Sequence, residues 1–274
     1  MEDVKKIVRE KYGQIAKESA ETEKKDSCGC GCGCSDTYTI FSESYTGKEG
    51  YDPDADLGLG CGIPTDFVHI RKGDVVIDLG SGAGNDCFVA RALVGEEGKV
   101  IGIDMTKEMI ELARKNAEKL GYKNVQFRYG DIENMPVTSK KADVVISNCV
   151  LNLVPDKDMA VSEICRVLKV GGHFCISDII LKGELPEKIR NAAEMYAGCV
   201  SGAMEREKYM ELIAKMGFIN ITIHKEKEIF IPDNVLAEYL TIEEIEAFRK
   251  SGTGVFSITI SGEKPAKGCV CCGT

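Results

Sequence analysis

Short apolar runs alternate along the chain with longer stretches in which apolar residues recur at helical spacing. The apolar runs, at 74–79, 99–104, 125–129, 142–148 and 173–180, have the length of strands. The stretches 87–93, 106–120 and 158–168 between them read as helices. In 106–120, Met109, Ile110, Leu112, Ala113 and Leu120 share a face, and Gly121 supplies the stop. Strands and helices alternating at these lengths predict a parallel sheet with right-handed crossovers. After Gly183 the pattern changes: 187–199, 205–216 and 234–250 read as helices, and 219–226, 228–231 and 254–261 as strands. Ahead of the sheet, residues 1–20 form a charged helix with a stripe of Val4, Ile7, Val8, Tyr12 and Ile15. Residues 37–64 read as loop, and 65–69 as a short helix. The expected organisation is an N-terminal helix and cysteine/glycine-rich segment (1–64), an α/β domain (65–182), a smaller C-terminal α+β domain (183–262) and a tail (263–274).

The first strand leads into Asp78-Leu79-Gly80-Ser81-Gly82-Ala83-Gly84-Asn85-Asp86. A glycine-rich turn between a buried strand and a helix lets backbone approach a ligand closely. It also lies where open α/β sheets bind ligands. The spacing Gly-x-Gly-x-Gly is not that of a dinucleotide fingerprint. Asp78 at the strand end would repel a pyrophosphate but welcome a cationic group, such as a sulfonium nucleoside. Asp104 ends the second strand, 20 residues after Gly84, where a ribose-binding carboxylate belongs in such units. After the third strand, Asp131 is placed to accept from an exocyclic amine and Ile132 to lie on a base face.

Composition narrows the reading further. The net charge of −9 argues against a nucleic-acid partner. No apolar run approaches the ~20 residues that span a bilayer, and the start, Met-Glu-Asp-Val-Lys-Lys, has no secretory apolar core. A soluble cytoplasmic protein is expected, without membrane or nucleic-acid partners. Thirteen cysteines are then unusual, because cysteines in the cytosol more often serve metal binding, redox or catalysis. Four lie in Cys28-Gly-Cys30-Gly-Cys32-Gly-Cys34 and three in Cys269-Val-Cys271-Cys272. Each tract reads equally as a soft-metal binder or as a thiol-rich segment with no dedicated ion. Cys165 and Cys175 fall in a helix and a strand and are expected in the core, and packing is also the expected role of Cys87. The three histidines, His69, His173 and His224, are expected to be structural.

Val75–Gly84, Asp104 and Gly130-Asp131-Ile132 together resemble the Rossmann-like S-adenosylmethionine-dependent methyltransferases. The closer resemblance, over nearly the whole chain, is to the arsenite methyltransferases. It rests on Gly60-Cys61-Gly62-Ile63-Pro64, Ser147-Asn148-Cys149-Val150-Leu151-Asn152-Leu153 and Ala197-Gly198-Cys199-Val200-Ser201-Gly202-Ala203. It implies a Rossmann-like sheet with helices on both faces and an arsenic-binding C-terminal α+β domain. It further implies donor binding by Asp78, Gly80, Ser81, Gly82, Gly84, Asp104, Met105, Asp131, Ile132 and Asn148. Cys61, Cys149 and Cys199 would bind trivalent arsenic.

The chemistry agrees. Arsenic(III) is soft and thiophilic, and its lone pair can attack a sulfonium methyl without a general base. The expected reaction is methyl transfer from S-adenosylmethionine to thiol-bound arsenite, in detoxification. No catalytic metal ion is expected. A thiol reductant, thioredoxin or glutathione, would be needed. Family members use an N-terminal cysteine in a disulfide that restores trivalent arsenic, and four cysteines compete for that place here. Leu59 stands where some relatives have an aromatic residue. Two other readings remain open: methylation of a small organic acceptor, and thiol-rich sequestration of arsenic or metal.

Overall fold

The computed structural model describes residues 2–22, 43–185, 187–189 and 200–266. Its sheet is built from β1 (Val75–Leu79), β2 (Lys99–Asp104), β3 (Val125–Tyr129), β4 (Ala142–Asn148), β5 (Leu168–Lys182), the two-residue β6 (Met204–Glu205), β7 (Ile219–Glu228) and β8 (Gly254–Glu263). The order is β3-β2-β1-β4-β5-β8-β7, with β6 paired to β5. The neighbours among β1 to β5 are parallel, as the apolar pattern predicts. β8 then runs antiparallel to both β5 and β7.

Successive residues of a strand point to opposite faces, and the central strands are buried on both. Ile77, Leu79, Ile101, Ile103 and Val145 pack on α4 (Lys157–Val167) and α5 (Arg206–Lys215), against Ile164, Leu212 and Ile213. Val76, Val100, Val144 and Ile146 pack on α2 (Asn85–Val94) and α3 (Lys107–Lys119), against Phe88, Ile110 and Ala113. This two-sided burial is why the strands read as near-continuous apolar runs. It gives the expected sheet with helices on both faces.

Several local expectations differ from the structure. Strands β7 and β8, read as part of a C-terminal unit, are hydrogen-bonded into the same sheet. The expected strands 219–226 and 228–231 reduce to β7, which ends at Glu228. The expected helix 234–250 is two pieces, α6 (Asp233–Leu236) and α7 (Ile242–Ser251). The break falls at Thr241, whose hydroxyl accepts from the Glu244 amide while the Glu244 carboxylate accepts from the Thr241 amide. That reciprocal capping box starts a new helix. The short helix expected at 65–69 is a single 3-10 turn, Pro64–Asp66. On α1 (Glu2–Thr22) the predicted apolar stripe divides. Val4 and Ile7 are exposed, whereas Tyr12, Ile15 and Ala16 pack with Met109 and Leu112 of α3. Most of the helix expected at 187–199 lies outside the described residues, as do Cys28–Cys34 and Cys269–Cys272.

The chain after β8 leaves from the sheet edge opposite the glycine-rich turn. Glu263 pairs with His173, near the start of β5. Lys264 is buried there, and its ammonium donates to the Cys165 and Leu168 carbonyls at the end of α4. Those carbonyls carry the negative end of the helix dipole.

Candidate functional site

The carboxyl ends of the parallel strands open into one cleft. The glycine turn shows why its residues are small. Gly80, Gly82 and Gly84 all have positive φ (64°, 50° and 105°), which L side chains adopt only with strain. A Cβ on Gly80 would meet Val150 Cγ2 at 2.4 Å, and one on Gly84 would meet the Phe88 and Phe127 rings at 2.7 and 2.9 Å. A Cβ on Gly82 would meet nothing within 4 Å. Gly80 and Gly84 thus let the turn pack on the protein, while Gly82 faces open space in the cleft. From behind, Asn116 of α3 donates to the Ala83 carbonyl.

Adjacent strand tips carry the polar groups in order, about 5 Å apart per strand. At the β3 side, Asp131 and Ile132 line the cleft. The Asp131 carboxylate, expected to face an exocyclic amine, accepts from Lys5 Nζ at 2.5 Å, and Lys5 also pairs with Glu133. Helix α1 therefore closes this end, with Val8 and Tyr12 along the wall. At β2, Asp104 accepts from the Gly82 and Thr106 amides, at 3.0 and 2.8 Å. Burial raises its pKa, and these amides oppose the rise. Replacing Asp104 by Ala is expected to weaken donor binding on the order of tenfold or more, measured by titration calorimetry. Unchanged affinity would remove Asp104 from the site.

Next along the edge, Asp78 is fully buried and accepts from the Cys87 thiol at 3.2 Å. Burial first, and then Asp86, hold its pKa well above the carboxylate range. Burial and Asp78 likewise push the Cys87 thiol up, so the helix N-terminus does not activate it. Asp86, in the first turn of α2, accepts from Tyr45 Oη at 2.6 Å and from Asn148 Nδ2 at 3.1 Å. Burial pushes its pKa up to about 6. Among the described residues, no Lys, Arg or His pairs with Asp78, Asp86 or Asp104. Three desolvated carboxylates without a cation form a site that favours positive charge. Ser81 and Asn85 line the same cleft, and their Oγ and Oδ1 atoms are buried without a hydrogen-bond partner. A polar nucleoside carrying a cation fits both features.

The far end carries sulfur. Cys149 follows β4 with φ 58°, and its amide donates to the Ser177 carbonyl at 2.8 Å. This left-handed turn sets Cys149 against Cys61, and the two form a disulfide with Cα atoms 5.9 Å apart. Asn148 fastens the Cys61 loop. Its Oδ1 accepts from the Cys61 amide at 2.9 Å, and its Nδ2 donates to the Gly62 carbonyl at 2.7 Å and to Tyr45 Oη at 3.0 Å. Glycine flanks Cys61 because this contact is close: a Cβ on Gly60 would meet Asn148 Nδ2 at 2.5 Å, and one on Gly62 would meet Ser177 Oγ at 2.6 Å.

Cys199 lies outside the described residues. Its neighbour Val200 is buried in one cluster with Cys61 and Cys149. The Val200–Gly202 turn lies so close to the Leu151–Leu153 turn that a Cβ on Gly202 would overlap the Asn152 carbonyl. Of the other predicted positions, Asp78, Gly80, Ser81, Gly82, Asp104, Met105, Asp131, Ile132, Asn148 and Cys149 line the cleft, while Gly84 caps α2 beneath it. The histidines are away from it: His173 meets the His69 carbonyl, and His224 meets Ser261 and stacks on Phe67. Sequence reasoning missed Tyr45, Asn85 and Asp86. The available signal for Asp86 was its place two residues after Gly84, at the helix start.

A parallel sheet with an antiparallel last strand, and an acid-lined cleft beside a glycine turn, define a methyltransferase. Residues 70–217 match the family described as a methyltransferase domain. The arsenite methyltransferase of Halobacterium salinarum is 38% identical over 97% of this chain and 68% of its own length. An arsenic(III) S-adenosylmethionine methyltransferase from Chlamydomonas reinhardtii has a solved structure with TM-score 0.63 and 31% identity, over 85% of this chain and 75% of that one. The chain belongs to the arsenite methyltransferase family. It spans a smaller share of the animal relatives: 63% of the mouse arsenite methyltransferase, at 34% identity over 89% of this chain, and 47% of the human one, at 40% over 65%.

Proposed function

We propose that the protein transfers a methyl group from S-adenosylmethionine to trivalent arsenic held by Cys61, Cys149 and Cys199, as a step in arsenic detoxification. The observation that carries this reading is the Cys61–Cys149 sulfur pair, with Cys149 lining one end of a cleft whose other groups suit a cationic nucleoside.

The donor residues would divide as the strand tips do. Asp131 and Ile132 would meet the base, with Lys5 sharing the Asp131 carboxylate. Asp104 and Met105 would meet the ribose. Ser81, Gly82 and Asn85 would meet the donor with backbone and orphaned polar atoms, and Asp78 and Asp86 would face its positive charge. When bound, the donor supplies an electrophilic methyl on sulfur. The thiols exchange with arsenite as each As–OH bond gives way to As–S and water leaves with the thiol proton. The arsenic lone pair then needs no base, and the protein acts chiefly by holding donor and acceptor in line. Giving its lone pair to the methyl takes arsenic formally from the trivalent to the pentavalent state, so two electrons must return to arsenic and the acceptor thiols must be kept reduced. A thiol reductant, thioredoxin or glutathione, oxidised to its disulfide, would supply both.

The test supplies S-adenosylmethionine, arsenite and a thiol, and reads methylarsenicals by chromatography with mass detection. The parent forms them. Cys61→Ser, Cys149→Ser and Cys199→Ser are each expected to lose at least about a hundredfold in rate, the scale of a misplaced acceptor, while still binding donor. Variants that methylate arsenite like the parent would sink the proposal.

A further inference from the structure

We propose that Asp86 is the residue by which this protein discriminates its charged methyl donor from the uncharged product. The proposal rests on S-adenosylmethionine being the donor, and deepens that reading; it does not depend on what accepts the methyl.

Three carboxylates line the cleft, Asp78 buried and Asp86 and Asp104 half-buried, and their partners tell them apart. Asp104 belongs to the β2 tip, where two backbone amides hold it. Asp78 lies behind, on the Cys87 thiol. Asp86 is the one joined to the sulfur end. The amide nitrogen of Asn148 that donates to Asp86 also donates to Gly62, beside Cys61, and Asn148 precedes Cys149. Both partners of Asp86, Tyr45 and Asn148, are neutral donors. They hold its orientation without cancelling its charge. A carboxylate tied through Asn148 to the Cys61 loop and to the residue before Cys149 lies on the side of the cleft where the donor reacts.

The charge at that spot changes during transfer. The bond from sulfur to methyl carbon breaks, and its electron pair stays on sulfur, which becomes a neutral thioether. The new bond to the methyl uses the acceptor's lone pair. S-adenosylmethionine and S-adenosylhomocysteine carry the same α-amino and carboxylate groups, so they differ at this end by the methyl and one positive charge. A negative group there attracts the donor and gains nothing from the product. The attraction weakens as the sulfonium charge disperses, so Asp86 contributes to donor binding and product release rather than to lowering the barrier. Removing its charge should therefore raise KM for the donor without a matching loss in kcat.

The experiment titrates the reduced protein, without acceptor, with S-adenosylmethionine and separately with S-adenosylhomocysteine, by calorimetry. The quantity read is the ratio of the two Kd values relative to the parent. In Asp86→Asn the product-to-donor Kd ratio should fall on the order of tenfold, almost entirely through weaker donor binding. Asp86→Ser is a second neutral variant should the first not fold. Tyr45→Phe removes a hydrogen bond from the same carboxylate but leaves its charge, and should keep the parent ratio. Equal weakening of both ligands in the neutral variants would overturn the proposal. So would an equal fall of the ratio in Tyr45→Phe, which would show general disturbance of the pocket. If the parent bound neither ligand, the donor reading itself would fail, and that result precedes any variant.

Discussion

Protein in which the Cys61–Cys149 disulfide is intact is expected to transfer no methyl group to arsenite, and a dithiol is expected to restore transfer. A soft metalloid is held by thiolates, and a disulfide sulfur has no thiolate to offer. Both sulfurs belong to residues almost wholly buried, 2% and 5% exposed. Cys149 lines the cleft, which gives a small dithiol its route. Most groups suited to the donor, on the glycine turn and at the β2 and β3 tips, lie on other elements than the disulfide, so donor binding should survive oxidation within about threefold, less than the change of one ordinary hydrogen bond. The measurement is methylarsenical formation by the oxidised protein before and after reduction, with calorimetric donor binding on each form. Turnover by the oxidised form at the reduced rate would rule out these two sulfurs as arsenic ligands.

How far the sequence could be read depended on whether a signal was local. The central strands were legible because they are buried on both faces and nearly all apolar, as at Val75–Leu79, where only Asp78 interrupts the run. The glycine turn and Asp104 were legible because the fold places them at fixed distances in the chain. The split between α6 and α7 was missed, although Thr241 and Glu244 carry a capping signal, because the surrounding charges support helix on both sides of it. The exposure of Val4 and Ile7 was not legible, since only the angle at which α1 docks decides which part of an apolar stripe is covered. Asp86 and Tyr45 escaped for a different reason. They are 41 residues apart, and only the closure of the 43–64 loop over α2 brings them together. The same closure sets Cys61 on Asn148, 87 residues away. Such pairings are set by packing, and no periodicity records them.

That closure makes Gly62 a sharp point of failure. Gly62→Ala is expected to reduce arsenite methylation on the order of a hundredfold while changing donor affinity little. The alanine Cβ would stand 2.6 Å from Ser177 Oγ, 2.8 Å from Ser177 Cβ and 3.2 Å from Thr259 Oγ1. Ser177 cannot retreat. It is wholly buried in β5, paired in register with Asn148 on one side and Thr259 on the other, and its hydroxyl lies 2.9 Å from Thr259 Oγ1. The loop must move instead, carrying the adjacent Cys61 and stretching the bond from Asn148 to the Gly62 carbonyl. Overpacking of this kind costs about 1–3 kcal/mol of stability. The greater effect is on geometry, because a shift of about 1 Å between reacting groups can cost a hundredfold in rate. The Gly80–Gly84 turn lies on another element and keeps its shape, so donor titration serves as the internal control. Ser177→Gly in the same chain removes the obstructing side chain and should recover part of the lost rate. A Gly62→Ala protein with parental activity would mean that the thiol loop does not need this seat.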